Sequence, residues 1–201
     1  MTNNLNNYFD QVFSDEDLTV LREVLGVIRQ IFKKTTNKDV KLFLIGMRAL
    51  YYYYGINAFT PAPFSIDIDI NFDILLEWAN YRKLIPQKIK ESLETLGYSV
   101  IVDLGLMTIQ KEHFLMHLTT VIEFSDEIID DYIPELNLDV GNKYFLIYTK
   151  LSRFDPIKDV KRLKYLFKNR KIQFDEVLAF APDLEKDIIQ KRITLLIGND
   201  K

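Results

Sequence analysis

The chain has 201 residues, 48% apolar and 27% charged, with 26 basic against 29 acidic residues. That composition supports a core in one domain, or a domain with a small appendage, and gives no general attraction to nucleic acid. The absence of cysteine excludes disulfides, thiolate catalysis and cysteine-based metal sites, and two histidines, His113 and His117, are too few for a three-histidine metal site.

The polar start MTNNLNNYFD does not read as a signal peptide. No apolar run reaches the ~18 residues that a membrane span needs, so a cytoplasmic protein is expected. Ser14 is a candidate helix cap, followed by Asp15, Glu16 and Asp17 where the helix dipole favours negative charge. Leu18, Leu21, Val24, Leu25, Ile28, Ile31 and Phe32 recur at helical spacing, which predicts an amphipathic helix over 15–33. The short apolar run from Val40 to Ile45 predicts a buried strand, and Met47 to Tyr54 a buried helix stopped by Gly55. Four consecutive residues cannot share one helix face, so two or more rings of Tyr51–Tyr54 are expected in the core, with stacking of one on a base as the alternative.

Residues 56–64 read as a proline-containing loop, 65–70 as a second strand, and Asp73 to Trp78 as a short helix. Pro86 sits in the first turn of a further helix whose inward face is Ile85, Ile89, Leu93 and Leu96, with Gly97 after its end. Tyr98–Val102, Leu106–Gln110 and Phe114–Phe124 read as strands. From about residue 142 the pattern changes to helices only: 144–151, a basic helix over 155–171 with Val160, Leu163, Leu166 and Phe167 inward, then 174–180 and 183–197. The expectation is a mixed α/β core over 1–142 and a helical C-terminal region over 143–201 packed on it.

Within PFSIDIDI (63–70), Asp67 and Asp69 stand two residues apart in an alternating apolar strand, so both carboxylates face one side. Their repulsion calls for a positive partner. The preceding strand ends at Gly46, where a glycine lets backbone approach a ligand, and a helix begins at once. Its first N–H groups, from Met47 and Arg48, suit a phosphate. A carboxylate pair facing such a turn is a Mg²⁺ or Mn²⁺ site that would hold a nucleoside triphosphate.

The arrangement LIGMRAL … FSIDIDI resembles the nucleotidyltransferase superfamily: an apolar strand ending in Gly-Gly or Gly-Ser, a helix, then a strand with Asp-x-Asp. Within it, the chain resembles the AbiEii-type and minimal nucleotidyltransferases, through Gly46, Ala49, Leu50, Ser65, Asp67 and Asp69. Lys150-Leu151-Ser152-Arg153 and Lys158-Asp159 resemble a later stretch of that family. The resemblance implies a nucleotidyltransferase-like mixed β-sheet flanked by helices. It also implies transfer of a nucleoside monophosphate from a triphosphate to a hydroxyl on RNA, protein or a small molecule. A toxin role with an antitoxin partner is implied as well, with a homo-oligomer as the other association. Asp67 and Asp69 would hold the metal, Ser65 would contact phosphate or orient its loop, and Lys150 and Lys158 would offset the triphosphate. The family's third carboxylate, from a later strand, falls to Glu123, a metal ligand at or near the general base, with Asp103 second. Two positions depart from the pattern and press towards lost catalysis: Met47 replaces a second Gly or Ser, and Pro63 replaces an Arg. His117 reads first as a core or interface histidine, with contact to substrate or metal as its alternative, and the cations of 158–171 as a solvated helix face, with steering of the triphosphate or an RNA acceptor as theirs.

Overall fold

The computed structural model describes residues 8–63, 65–72, 81, 83–103, 105–120, 125–156 and 158–198. The chain forms two compact units. One takes Phe13–Arg48 and Ile66–Gly141 and contains all seven described strands; the other takes Met1–Val12, Ala49–Ser65 and Asn142–Lys201.

The sheet unit begins with helix α2 (Asp15–Thr36), which follows a single turn, α1 (Phe9–Val12). Ser14 caps α2 as its side chain demands: Asp17 N–H donates to Ser14 Oγ at 3.0 Å, and Ser14 N–H donates to the Asp17 carboxylate at 3.2 Å. The seven apolar positions expected to face inward are the seven that α2 buries. Strand β1 (Leu42–Ile45) follows, then helix α3 (Gly46–Tyr54), which starts in this unit, and strand β2 (Ile68–Phe72). Helix α4 (Leu84–Thr95) buries Ile85, Ile89 and Leu93 and packs on α2 and on β3 (Ser99–Asp103). Leu96, expected on the inward face, is exposed because the helix has already ended at Thr95. A meander of β4 (Leu106–Lys111) and β5 (Phe114–Thr119) comes next, then β6 (Ile129–Ile133) and β7 (Leu138–Gly141).

The sheet order is β3-β4-β5-β2-β1-β7-β6. It is mixed: β1 runs antiparallel to β2 but parallel to β7, and β2 runs parallel to β5. The mixed α/β class expected from the sequence is therefore the class observed. Alternation gives the sheet one apolar face, including Leu44, Ile68, Ile70, Met116, Leu118 and Val140, each at most 1% exposed. The other face carries polar side chains in register: Asp69 between Ile45 and His117, and Asn71 between Phe43 and Thr119. Arg22 and Arg29 of α2 donate to the carbonyls of Glu135 and Leu136, tying α2 to the turn before β7. On β7, burial pushes the Asp139 carboxyl above its ordinary range, with Lys41 and then Arg29 opposing that shift.

The second unit is helical. Its elements are α1, the later part of α3, and helices α5 (Lys143–Arg153), α6 (Asp159–Asn169), α7 (Phe174–Ala179) and α8 (Asp183–Gly198). Asn142 caps α5 by accepting from Tyr144 N–H at 2.9 Å. The basic helix is shorter than the expected 155–171. Phe154 turns left-handed at the end of α5, and α6 starts only at Asp159. Tyr51 and Tyr52 are core residues, at 1% and 2% exposure. The loop after α3 contains a 3-10 turn, Ile56–Phe59, and belongs with α6: Asn169 donates to Ala58 O at 3.0 Å, and Arg170 to Tyr54 O at 3.0 Å. The expected helix at 73–78 lies outside the described residues. No helix among the described residues is long and apolar enough to cross a membrane.

Candidate functional site

The site lies in the sheet unit, at the end of β1. Ile45 pairs with Asp69 across the β1–β2 ladder, so the residue after Ile45 turns away directly beside the Asp69 side chain. That residue is Gly46, with φ +73, a left-handed conformation that favours glycine. A Cβ at Gly46 would stand 2.1 Å from Asp69 Oδ2 and 3.0 Å from Asp69 Cβ. Glycine is therefore favoured twice, by its backbone angle and by the Asp69 side chain packed beside it. The expected glycine turn and the expected acidic strand do meet.

β2 starts at Ile68, not at residue 65, so Asp67 precedes the strand and Asp69 lies within it. Both still reach one place, and the group between them is His117 of β5. Its Nδ1 is 3.1 Å from Asp69 Oδ1 and 3.9 Å from Asp67 Oδ2. The register explains the meeting, since His117 is the β5 partner of Asp69 and neighbouring partners share a face. Side chains of Asp67, Asp69 and His117 are 33%, 24% and 28% exposed, so the cluster is sheltered yet open to a ligand.

These residues fit a divalent metal. One ligand atom from each of Asp67, Asp69 and His117 lies within 4.8 Å of the others. For bonds of about 2.1 Å, ligand atoms of an octahedral ion stand about 3.0 Å apart when adjacent and about 4.2 Å when opposite. The observed 3.1 Å of Asp69 meets the adjacent spacing, and the 3.9 Å of Asp67 lies outside it by about 0.9 Å, so a bound ion would draw the Asp67 carboxylate inward. At the same 3.1 Å, the imidazole also makes an ordinary hydrogen bond with Asp69.

Met47 and Arg48 form the first turn of α3 beside this cluster, where helix N–H groups have no partner within the helix. Both side chains are buried, Met47 at 3% and Arg48 at 5% exposure. Arg48 donates to Ile66 O at 3.0 Å and lies 3.7 Å from Asp17, so its charge serves the segment leading into Asp67. Glu123 lies outside the described residues. Asp103 closes β3 at the sheet edge. Its register runs through Leu106 and Thr119 to Asn71, which places it three strands, about 14 Å, from β2. It does not join the pair.

The other expected residues belong to the helical unit. Ser65 is 7% exposed, and its N–H donates to the Tyr51 hydroxyl at 3.1 Å. Lys150 is buried at 8%, with Nζ 3.4 Å from Asp159, which is itself 1% exposed and bound by Arg153 at 2.5 Å. Lys158 is exposed, and its N–H donates to Asp155 at 2.9 Å.

The residue that sequence reasoning undervalued is His117. Its sequence signal is slight: His117 is the one ionisable residue inside FLMHLT, and only the register of β5 on β2 shows which aspartate it meets.

No family model and no curated protein matches the chain. Solved structures are similar to it. Over 90% of this chain and 98% of the other, it is similar to ANT(2")-Ia in complex with adenylyl-2"-tobramycin, with 12% identity and a TM-score of 0.46. Over 82% of this chain it is similar to the Megavirus polyadenylate synthase, with 14% identity and a TM-score of 0.43. Over 78% it is similar to a cytoplasmic RNA terminal U-transferase, with 15% identity and a TM-score of 0.36. It spans 34% and 38% of the lengths of the last two.

Proposed function

We propose that this protein is a metal-dependent nucleotidyltransferase that moves a nucleoside monophosphate from a nucleoside triphosphate to a hydroxyl acceptor on RNA, protein or a small molecule. The observation that carries the reading is the Asp67–Asp69 pair set against the Gly46 turn. Asp67 and Asp69 hold the ion, and the N–H groups of Met47 and Arg48 meet the outer phosphates. When bound, Mg²⁺ or Mn²⁺ supplies Lewis-acid polarisation of the α-phosphate and offsets charge on the departing oxygen.

The chain's own residues bring the acceptor hydroxyl in line with the α-phosphorus. A new oxygen–phosphorus bond forms, the α–β phosphoanhydride bond breaks, and pyrophosphate leaves. The hydroxyl proton passes to a carboxylate base, for which the sequence names Glu123. Gly46 keeps the turn low enough for phosphate to reach the carboxylates. Ser65, Lys150 and Lys158 enter the proposal from the sequence resemblance alone. So does a toxin role, which would make growth arrest on expression depend on Asp67 and Asp69.

A second reading is a catalytically inactive binding module of the same fold. One observation favours it: Arg48 and Lys150, two cations that the sequence resemblance brings to the site, already answer Asp17 and Asp159. Incubation with α-labelled triphosphates, Mn²⁺ and cell extract separates the two. Label appearing on RNA, protein or a small molecule, and lost on Asp67→Asn with Asp69→Asn, supports transfer. Nucleotide binding without label transfer selects the second reading.

A further inference from the structure

We propose that His117 is the third protein ligand of the metal held by Asp67 and Asp69, and that its imidazole makes the site favour transition ions over Mg²⁺. The inference rests on the metal-dependent reading above and refines it. The described third position is filled by nitrogen on the strand adjacent to the acidic pair, at the register of Asp69 itself. The carboxylate alternative that the structure describes, Asp103, closes the far edge strand.

Register fixes the placement. β5 pairs with β4 through Thr108 and with β2 through Asp69, so His117 is held by ladders on both sides. Its ring cannot leave the face that Asp69 occupies without a slip of the whole strand. On the opposite face of β5, Met116 and Leu118 are 0% and 1% exposed, and a one-residue slip would put the imidazole there.

The chemistry follows from the donor set. Mg²⁺ is hard, prefers oxygen and keeps its waters. Imidazole suits the later divalent ions, and affinity for a mixed nitrogen–oxygen site rises from Mn²⁺ through Co²⁺ to Ni²⁺. Two carboxylates and one imidazole therefore bind Mn²⁺ or Co²⁺ more tightly than Mg²⁺, and leave further positions for triphosphate oxygens and water.

The test reads the ligand directly. Pulsed electron paramagnetic resonance of Mn²⁺ bound to the protein reports nitrogen within the first coordination sphere. Mn²⁺ is added alone, and again with inorganic tripolyphosphate, which stands in for the nucleotide and carries no nitrogen. The expected result is a nitrogen coupling in the parent protein that persists in His113→Gln and vanishes in His117→Gln. Labelling with ¹⁵N-histidine should change the isotope pattern of the parent signal, which keeps the test open should His117→Gln fold poorly. His117→Asp should lower the preference for Mn²⁺ over Mg²⁺. Mn²⁺ binding that needs Asp67 and Asp69 but shows no nitrogen coupling would overturn the histidine ligand and leave nucleotidyl transfer standing. Absence of Mn²⁺ binding under both conditions would overturn both.

Discussion

The closest packing at the site is between Gly46 and Asp69, and Gly46→Ala measures what it is worth. The new Cβ would lie 2.1 Å from Asp69 Oδ2, 2.9 Å from its Cγ and 3.0 Å from its Cβ. The carboxylate can swing aside, but the Asp69 Cβ belongs to a strand paired on both sides. Against an ordinary carbon–carbon contact of about 3.5 Å, turn and strand must part by about half an ångström. Such overpacking costs about 1–3 kcal/mol, and an alanine at φ +73 adds about 1–2 kcal/mol. A loss of about 3 kcal/mol corresponds to a melting temperature lower by about 6–12 °C for a chain of this size. Gly26→Ala is the control. Gly26 lies inside α2 with nothing within 4 Å of its added Cβ, so alanine there should raise stability by about 1 kcal/mol. Thermal melts followed by circular dichroism measure both, and Mn²⁺ titration of the Gly46 variant should show weakened binding as Asp69 is displaced. A Gly46→Ala protein that melts and binds Mn²⁺ like its parent would refute the close approach on which the site is built.

Two further outcomes follow from buried charge. Asp159→Asn should cost about 3–5 kcal/mol in a urea melt, because it removes the buried carboxylate that both Arg153 and Lys150 answer, and Lys150→Met in that background should recover part of the loss. Asp139→Asn should stabilise the protein near neutral pH. Burial raises the folded-state affinity of Asp139 for its proton, so its ionisation destabilises the fold as pH climbs through and above the ordinary carboxylate range. The advantage of the asparagine variant should therefore shrink and vanish as pH falls below about 4, where the parent carboxyl is protonated in both states; an advantage that grows on acidification would contradict the burial argument.

Much of the sheet unit was legible in the sequence because its signals are local. Ser14 and Asp17 announce α2, period-3.6 leucines and isoleucines set its face, and Gly46 marks the strand-to-helix turn. β6 and β7 were not read. Both are short, Asp130, Asp131 and Asp139 interrupt their apolar pattern, and β7 earns its place by pairing in parallel with β1, nearly a hundred residues earlier, as between Phe43 and Asp139. No local periodicity reports a pairing of that span. The same limit hid His117. A histidine in an apolar strand has no function until register shows which neighbour it meets, and the register of β5 on β2 is a tertiary fact. The Asp67–Asp69 pair was legible because its two members lie within one strand's pitch of each other. The basic helix was overextended because nothing in FDPIKD signals the left-handed Phe154 that ends α5.

The path of the chain through its two units has a practical consequence. Ala49–Ser65 is an excursion from the sheet unit, and its turn Ile56–Phe59 packs on α6, where Asn169 donates to Ala58 O. Ending the polypeptide at Gly141 would strip that helix away from the turn that carries the buried Phe59, whose ring meets Tyr51 edge-on. Deletion or exchange of the tail therefore cannot be treated as the removal of a cassette: a truncated protein should clump during expression, and grafts meant to preserve the sheet must carry the 49–65 excursion and the terminal helices together.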